Sequence, residues 1–429
     1  MGSSASREAV AGAVFGLVLL LVLTRPRRLN EALATLTGAA ALLLLGLLSP
    51  LQAASTLAGQ WNLLLFLVGL MLTAGLADAA GFFDAAAALA ARSARGSGRL
   101  LLLAIFTVGA LVTAFLSNDA TALILTPVVY TLTTRLRLPP LPFLFATTFV
   151  ADTASLTLPV SNPVNVLISD SLQLNLVAYA GHLLLASLLA VAVNAGLFLL
   201  LFRRQLRQRF EPSRALQPPR TRAEQRLFRL TTGGLGLIAL AYVAASLARF
   251  PLGLVAIAGS ALLAGLAALS GGLQPARVRE HFSLTLLGYV SGLLLLVKGV
   301  ELTGLTAGLV SLLLGFAQTP ATAAAAGLLG AAVGSNVLNN LPASLVLISG
   351  AHAARLPESL LRPFLLGSLA GADIGPNLTP VGSLSTMLWL LIVRRRGLEV
   401  SARQYIKIGV MVTPAVLLTA GIALAVSFR

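Results

Sequence analysis

Polar residues able to bind a solute recur in this chain at a constant separation of 221 residues. Asn118 corresponds in this way to Asn339, and Asp152 corresponds to Asp373, without a gap. Both copies lie in strongly apolar surroundings. Polar segments repeated in the two halves of a hydrophobic chain are typical of a transporter binding site.

Carboxylates within apolar segments are the residues best suited to carry protons. Asp119, Asp152, Asp373 and Glu301 lie within or at the edge of apolar stretches. A charge at the bilayer centre costs at least about 2.5–3.5 kcal/mol, so these residues are functional candidates. The symmetric pair Asp152 and Asp373 is the first choice for proton coupling, whereas Asp119 corresponds to Asn340. Capping of half-helices through free amides is the alternative role for Asp119 and Asp152.

Lys298 is one of two lysines in the chain and precedes Glu301 by three residues, a spacing that allows an ion pair on a helix. We include both as candidates for proton coupling. The alternative is that Lys298 extends to the membrane interface.

The remaining candidates are neutral and provide hydroxyl or amide hydrogen bonds. The predicted substrate-binding residues are Asn118, Ser155, Ser161, Asn162, Asn339, Asn340, Asn377, Thr379 and Ser383. This set suits a small, neutral, polyhydroxylated solute. It suits an anionic dicarboxylate less well, because no arginine lies in these segments.

Prolines interrupt the apolar pattern at 154–162 and 374–383. Proline lacks an amide donor and disrupts a helix, so each segment predicts a broken helix with free backbone groups. Simple proline kinks are the alternative, but the breaks are doubled and flanked by carboxylates. The N–H and C=O groups of non-helical backbone within the membrane need hydrogen-bond partners from protein or water. We therefore expect polar hairpin tips at 117–119 and 339–342 to meet these breaks.

Composition places these residues in an all-α polytopic membrane protein. The chain has 429 residues, of which 57% are hydrophobic and 10% charged. Residues 8–24 lack a following cleavage site and predict a retained helix rather than a signal peptide. The net charge of +16 comes from arginines in short loops, which argues for membrane orientation and against a nucleic-acid partner. Cysteine is absent, which excludes thiolate ligands, and no metal site or cofactor is expected.

Apolar length defines the expected spans. Single spans are predicted at 8–24, 29–49, 61–79, 175–202, 230–248, 251–270, 282–300 and 404–427. Two re-entrant hairpins are predicted at 102–136 and 320–356, and two broken helices at 139–172 and 361–394. The first repeat covers 1–202, a basic cytoplasmic linker 203–229, and the second repeat 230–429. Trp61 and Trp389 are near span ends and look like interfacial anchors.

Arginine placement predicts the orientation of the two repeats. The clusters expected on the cytoplasmic side are 25–28, 92–99, 135–137, 277–279 and 394–396, together with the linker. All of them can be cytoplasmic only if 102–136 enters and leaves on that side. Each half then has about five crossings and one hairpin, and an odd number of crossings inverts the second half relative to the first.

Long motifs in the chain resemble a known family. FLSNDATALILTP at 115–127, ADTASLTLPVSNPVN at 151–165, LNNLP at 338–342 and GADIGPNLTPVGSLSTMLW at 371–389 closely resemble the arsenite/antimonite efflux permeases of the ion-transporter superfamily. The resemblance spans nearly the whole chain. One departure is Ala120, where the family has glycine.

The resemblance implies a secondary transporter rather than an enzyme. It implies export of arsenite or antimonite across the cytoplasmic (inner) membrane in exchange for protons, which confers arsenical resistance. Some members of the family also dock an arsenite-stimulated ATPase, which makes such a subunit a candidate partner. Arsenite at neutral pH is mainly an uncharged trihydroxide, in agreement with the neutral set of candidate residues.

Other functions remain open at this point. A sodium/proton antiporter or a sodium-coupled anion transporter of the same superfamily is the main alternative. Carboxylate carriers of this superfamily are expected to have Ser-Asn-Thr at both hairpin tips. This chain has Ser117-Asn118-Asp119 and Asn339-Asn340-Leu341 instead, which argues against a carboxylate substrate. An intramembrane aspartyl protease is a remote alternative, because neither Asp152 nor Asp373 has the Gly-x-Gly-Asp context of such enzymes.

Overall fold

The described part of the chain is built from helices. The computed structural model describes residues 4–24, 30–212, 221–271, 273–315 and 317–428. The arginine cluster at 25–28 and residues 213–220 of the predicted linker lie outside the described residues. Within them, extended pairing is limited to one isolated bridge between Ser97 and Arg209.

The described residues of the first half form eleven α-helices. They are α1 (Ser4–Thr24), α2 (Glu31–Leu44), α3 (Pro50–Gly59), α4 (Trp61–Ala79), α5 (Phe82–Ser93), α6 (Gly98–Phe115), α7 (Asn118–Ala120), α8 (Thr126–Arg135), α9 (Leu141–Ala154), α10 (Pro163–Ser171) and α11 (Leu176–Leu201). A π-helical turn, Thr121–Leu125, joins α7 to α8.

In the second half, the part of the chain that the structure describes forms ten α-helices. They are α12 (Arg222–Leu247), α13 (Leu252–Leu269), α14 (Pro275–Glu280), α15 (Leu284–Glu301), α16 (Leu305–Leu313), α17 (Pro320–Leu338), α18 (Asn340–Ala353), α19 (Glu358–Ile374), α20 (Leu384–Arg395) and α21 (Ala402–Val426). Since α12 begins at Arg222, the last part of the predicted linker is helical.

The order of helices repeats between the halves. Each helix from α12 to α21 starts between 217 and 226 residues after its counterpart in the first half, with α18 matching the α7–α8 unit. The repeat therefore extends from the polar motifs to the whole chain. It includes α3, α5, α14 and α16, short helices outside the predicted spans.

Eight helices of the described residues are long and apolar enough to cross a membrane. They lie at 61–79, 98–115, 176–201, 222–247, 252–269, 275–301, 320–338 and 402–426. The expectation of an all-α protein with many membrane spans is confirmed.

The two halves exchange helices, in the sense that each half packs one of its helices against the other half. α4 of the first half packs on α13 of the second, and α15 packs on α2. These contacts are reciprocal, because α15 is the counterpart of α4 and α13 is the counterpart of α2. Each half thus buries a helix against the other half.

The closest helix pair in the second half is α17 against α19. Their backbones approach through small residues: a Cβ added at Gly367 would lie 1.9 Å from the carbonyl oxygen of Ala324. Small residues allow such close approach between membrane helices. This contact holds the first arm of one predicted hairpin against the broken helix.

We expect Gly367→Ala to destabilise the protein by about 1–3 kcal/mol, because the added methyl group must push α17 and α19 apart. The melting temperature of purified protein in detergent measures this effect. Gly308→Ala is the matched control, since no atom lies within 4 Å of a Cβ at that position. Equal melting temperatures for the two variants would contradict the importance of this contact.

One predicted anchor is wrong. Trp61 is 42% exposed, as an interfacial residue should be, but Trp389 is fully buried. Its indole Nε1 donates to the carbonyl oxygen of Leu144 at 2.9 Å, and its ring packs against Phe145 and Tyr405. Trp389 instead fastens α20 to α9. Position near a span end does not distinguish these two environments.

Candidate functional site

The helices break where the polar motifs occur. After α9, residues 155–161 form two short 3₁₀ turns before α10 begins at Pro163. After α19, Gly375–Leu378 forms a 3₁₀ turn, and α20 begins at Leu384. α6 ends at Phe115 and the chain resumes helical geometry at Asn118, and α17 gives way to α18 at Asn339. Four interruptions therefore supply non-helical backbone and polar side chains to one region.

Asn162 performs two tasks at the first broken helix. Its side-chain oxygen accepts from the amide of Val164 at 3.1 Å and caps α10. Its Nδ2 donates to Oδ1 of Asp373 at 2.7 Å. Asn162 thus links a half-helix of the first half to the carboxylate of the second half.

Ser383 performs the same two tasks at the second broken helix. Its Oγ accepts from the amide of Thr386 at 3.1 Å and caps α20. The same hydroxyl lies 3.2 and 3.1 Å from the two carboxylate oxygens of Asp152 and serves as a donor. Since Asn162 and Ser383 are 221 residues apart, the contact is reciprocal: each half caps its own helix and binds the aspartate of the other.

The two aspartates differ in how well they are satisfied. Both are 1% exposed. Oδ2 of Asp152 also receives a bond from Thr386 Oγ1 at 3.1 Å. By contrast, Oδ2 of Asp373 is buried and receives no hydrogen bond from the described residues. An ionised Asp373 with one unpaired oxygen is costly, so this oxygen is suited to hold a proton or a ligand.

Ser155 and Asn165, two donors beside Asp373, already donate to backbone carbonyl oxygens. Ser155 Oγ donates to the carbonyl oxygen of Asp152 at 2.7 Å. Asn165 Nδ2 donates to the carbonyl oxygen of Ser155 at 2.6 Å, and its own side-chain oxygen has no partner among the described residues. Both side chains therefore satisfy carbonyl groups of the interrupted helix, and Oδ2 of Asp373 stays available.

The first hairpin tip is fastened to the opposite half. Ser385 Oγ donates to Oδ1 of Asp119 at 2.6 Å. Ser117 Oγ accepts from the amide of Ala120 at 3.0 Å, and Asn118 Oδ1 accepts from the amide of Asp119 at 2.9 Å. These local bonds give α7 its helical start and orient Asp119 toward α20.

The second hairpin tip has an unusual backbone. Asn339 has φ of 82° and ψ of 156°, a strained backbone conformation that residues other than glycine rarely adopt. Its Nδ2 donates to the carbonyl oxygen of Val381 at 3.2 Å, and the amide of Asn340 donates to the carbonyl oxygen of Gly382 at 2.9 Å. The tip is thus joined to the break between α19 and α20.

A small cavity lies between the two tips. Its volume is about 30 Å³, and its polar lining consists of Asn118, Asp119, Asn162, Asn339, Asn340 and Ser385. Asp119 and Asn339 also line a larger cavity of about 320 Å³ that extends to Glu280 and His281. The small cavity therefore adjoins the larger one. That larger cavity ends next to α14, which carries the arginines predicted to be cytoplasmic.

Three of the predicted binding residues form hydrogen bonds with other groups of the protein. Ser161 Oγ donates to the carbonyl oxygen of Ala114 at 3.1 Å. Asn377 Nδ2 donates to the carbonyl oxygen of Phe149 at 3.2 Å, and Thr379 Oγ1 donates to Asn336 Oδ1 at 2.8 Å. None of the three lines either cavity. Their predicted contact with substrate stays a prediction.

Lys298 and Glu301 form the expected ion pair within α15. Ser349 Oγ donates to the other carboxylate oxygen of Glu301 at 2.8 Å. The side chains of Lys298 and Glu301 are 30% and 28% exposed, and neither lines the two cavities. The pair joins α15 to α18, and its role in coupling stays a prediction.

Sequence reasoning missed Ser385, which lines the small cavity and donates to Asp119. The corresponding position in the first half is Val164, so the repeat gave no signal there. The only available signal was the high density of hydroxyl residues in Ser383–Thr386. Tyr289, which also lines both cavities, lies in an apolar span without any motif.

Metal and protease chemistry find little support in this arrangement. Among the described residues, no group of three or more His, Cys, Asp or Glu side chains could hold a metal ion. The hydrogen bonds of Asp152 and Asp373 go to hydroxyl and amide groups and, within the described chain, not to each other. A carboxylate dyad that shares a proton is therefore not formed.

Known proteins are similar to this chain along nearly its whole length. The profile of the family described as arsenical pump membrane protein matches residues 10–427. The chain belongs to the arsenical pump membrane protein family. An arsenical pump membrane protein of Yersinia enterocolitica is 30% identical over 421 residues, which cover 97% of this chain and 98% of that protein. Another, from Escherichia coli strain K12, is 29% identical and covers 98% and 99% of the two chains.

A solved structure shares the fold of this arsenical pump family member. The crystal structure of the Alcanivorax borkumensis YdaH transporter, which is described as having an unusual topology, has a TM-score of 0.59 with this chain. The match covers 96% of this chain and 98% of that chain at 18% sequence identity. Family, fold and apolar helices together show a multi-pass membrane transport protein.

Proposed function

We propose that this protein exports arsenite or antimonite, as the uncharged trihydroxide, from the cytoplasm in exchange for protons. Membership of the arsenical pump family and the names of its relatives support an arsenical substrate. The observation that carries the proposal is the reciprocal pair of bonds, Asn162 to Asp373 and Ser383 to Asp152. Through Asn162, which lines the small cavity, this pair of bonds links Asp373 to a set of amide and hydroxyl groups and supports a role for the aspartates in coupling.

A neutral substrate agrees with the lining of the two cavities. Among the described residues, no arginine or lysine lines either of them. The small cavity offers amide and hydroxyl groups, which can both donate to and accept from the hydroxyls of a metalloid acid. Since the chain has no cysteine, arsenic cannot be held by thiolates. Recognition then depends on shape and hydrogen bonds.

Coupling follows from competition between substrate and proton. Asn162 both lines the cavity and donates to Asp373. A substrate hydroxyl that donates to the side-chain oxygen of Asn162 strengthens the donation of its Nδ2 to Asp373 and so favours loss of the proton from that carboxyl group. On the outer side, reprotonation of Asp373 or Asp152 favours release of the substrate. Asp119 lies where the substrate enters from the larger cavity.

Alternation of access requires two halves of opposite orientation in the cytoplasmic membrane. The repeated helix order and the reciprocal packing of α4 on α13 and of α15 on α2 support this orientation. Oppositely oriented repeats with a site between them are a common plan for secondary transporters. Docking of an ATPase subunit stays a prediction from the family resemblance.

Transport into inverted membrane vesicles tests this function. We expect arsenite uptake that depends on an imposed pH gradient, acid inside, and that is unchanged when sodium is replaced by potassium. Collapse of the gradient with a protonophore should abolish uptake. Uptake that follows a sodium gradient instead would overturn proton exchange in favour of sodium coupling.

A further inference from the structure

A second polar pocket lies far from the proposed transport site, at the start of α6. The segment 95–98 and the segment 206–210 are joined by two backbone bonds: Phe210 N donates to Gly96 O at 3.0 Å, and Gly98 N donates to Gln208 O at 3.3 Å. Gly96 has φ of +80°, and a Cβ there would lie 2.7 Å from the oxygen of Phe210. The wall of this pocket is thus fixed by backbone contacts that require glycine.

Four arginines line this pocket, which we call the arginine pocket. Arg95, Arg99, Arg207 and Arg209 surround a cavity of about 560 Å³ whose lining contains no carboxylate. In the described ranges, none of the four forms an ion pair with an acidic side chain. Like charges held together in this way repel one another, and a bound anion would relieve the repulsion. Guanidinium groups match phosphate oxygens in geometry.

The surroundings of the arginine pocket favour a lipid over a soluble anion. Leu100 and Leu103, on the first turns of α6, are 46% and 36% exposed, and Leu200, at the end of α11, is 66% exposed. These apolar side chains continue from the pocket along helices apolar enough to span the membrane. A lipid phosphate in the pocket could therefore place its acyl chains against them. A soluble anion would gain nothing from this apolar surface.

We propose that the arginine pocket binds the phosphate headgroup of an anionic phospholipid in the leaflet predicted to be cytoplasmic. Basic residues beside membrane helices attract anionic headgroups at the inner surface. The bound lipid would join the first turn of α6 to the segment that follows α11. α6 leads to the hairpin tip that carries Asp119. The bound lipid therefore stabilises the position of α6, which holds this part of the proposed transport site.

Binding of defined lipids to the purified full-length protein tests this proposal. The probes are phosphatidylglycerol and cardiolipin, with phosphatidylcholine and inorganic phosphate for comparison, and the readout is native mass spectrometry together with the melting temperature. We expect the anionic lipids to bind and stabilise. The double variant Arg99→Gln/Arg209→Gln should bind them about thirtyfold more weakly.

Arg249→Gln/Arg403→Gln is the matched control, since it removes two exposed arginines outside the pocket. It should bind the anionic lipids like the wild type. If the double variant does not fold, the single variant Arg207→Gln replaces it. Equal lipid binding by pocket and control variants would overturn the proposal. Equal stabilisation by inorganic phosphate alone would also overturn it, in favour of a soluble anion.

Discussion

Asp373→Asn is expected to reduce proton-driven arsenite uptake to background while leaving the protein folded. The asparagine oxygen can still accept from Asn162, so the bond that joins the two halves is kept. The group that can gain and lose a proton is removed, however, and with it the link between proton and substrate. Uptake into inverted vesicles under a pH gradient measures the loss, and the melting temperature confirms folding.

Glu358→Gln is the control for this experiment. Glu358 is a carboxylate on α19, the same helix as Asp373, but it is 77% exposed and pairs with Arg362 at the surface. Its removal should leave uptake unchanged. Undiminished, gradient-dependent uptake in Asp373→Asn would refute Asp373 as a proton carrier. The assignment would then fall to Asp152 or Asp119.

The second large effect is expected at Asn162, where the two repeats can be compared directly. Asn162→Ala removes the cap of α10 and the donor to Asp373 together. Loss of a cap alone costs about 0.5–2 kcal/mol. An unpaired carboxylate in the interior costs more. We expect a lower melting temperature and nearly complete loss of uptake.

Asn162→Ser is the matched variant, because serine occupies the corresponding position 383. A serine hydroxyl can accept from Val164 and donate to Asp373, just as Ser383 accepts from Thr386 and donates to Asp152. Much of the stability and uptake lost in Asn162→Ala should therefore return. Equal defects in the alanine and serine variants would show that the reciprocal bond has no importance for transport.

Much of the architecture could be predicted from the sequence, because apolar length and repeated motifs are strong signals. The predicted span 61–79 coincides with α4, and the predicted breaks fall where α9 and α19 end. The gathering of Asn118, Asp119 and Asn340 around one cavity also follows from the motifs. These residues stand out because polar groups are costly in apolar segments.

The remaining features depend on packing that the sequence does not reveal. Trp389 lies near a span end but is buried by α9 and α21, so neighbouring helices decide its environment. Ser385 lines the small cavity only because α20 faces the tip that carries Asp119. The difference between a satisfied Asp152 and an unsatisfied Asp373 likewise depends on bonds from the other half.

The exchange of helices between the halves has a consequence for how such a protein can be divided. Without the second half, α4 would lack its contact with α13 and α2 would lack its contact with α15. The duplicated sequence therefore does not correspond to two autonomous domains. Because both copies lie in one chain, the two corresponding aspartates can differ in their surroundings, as Asp152 and Asp373 do.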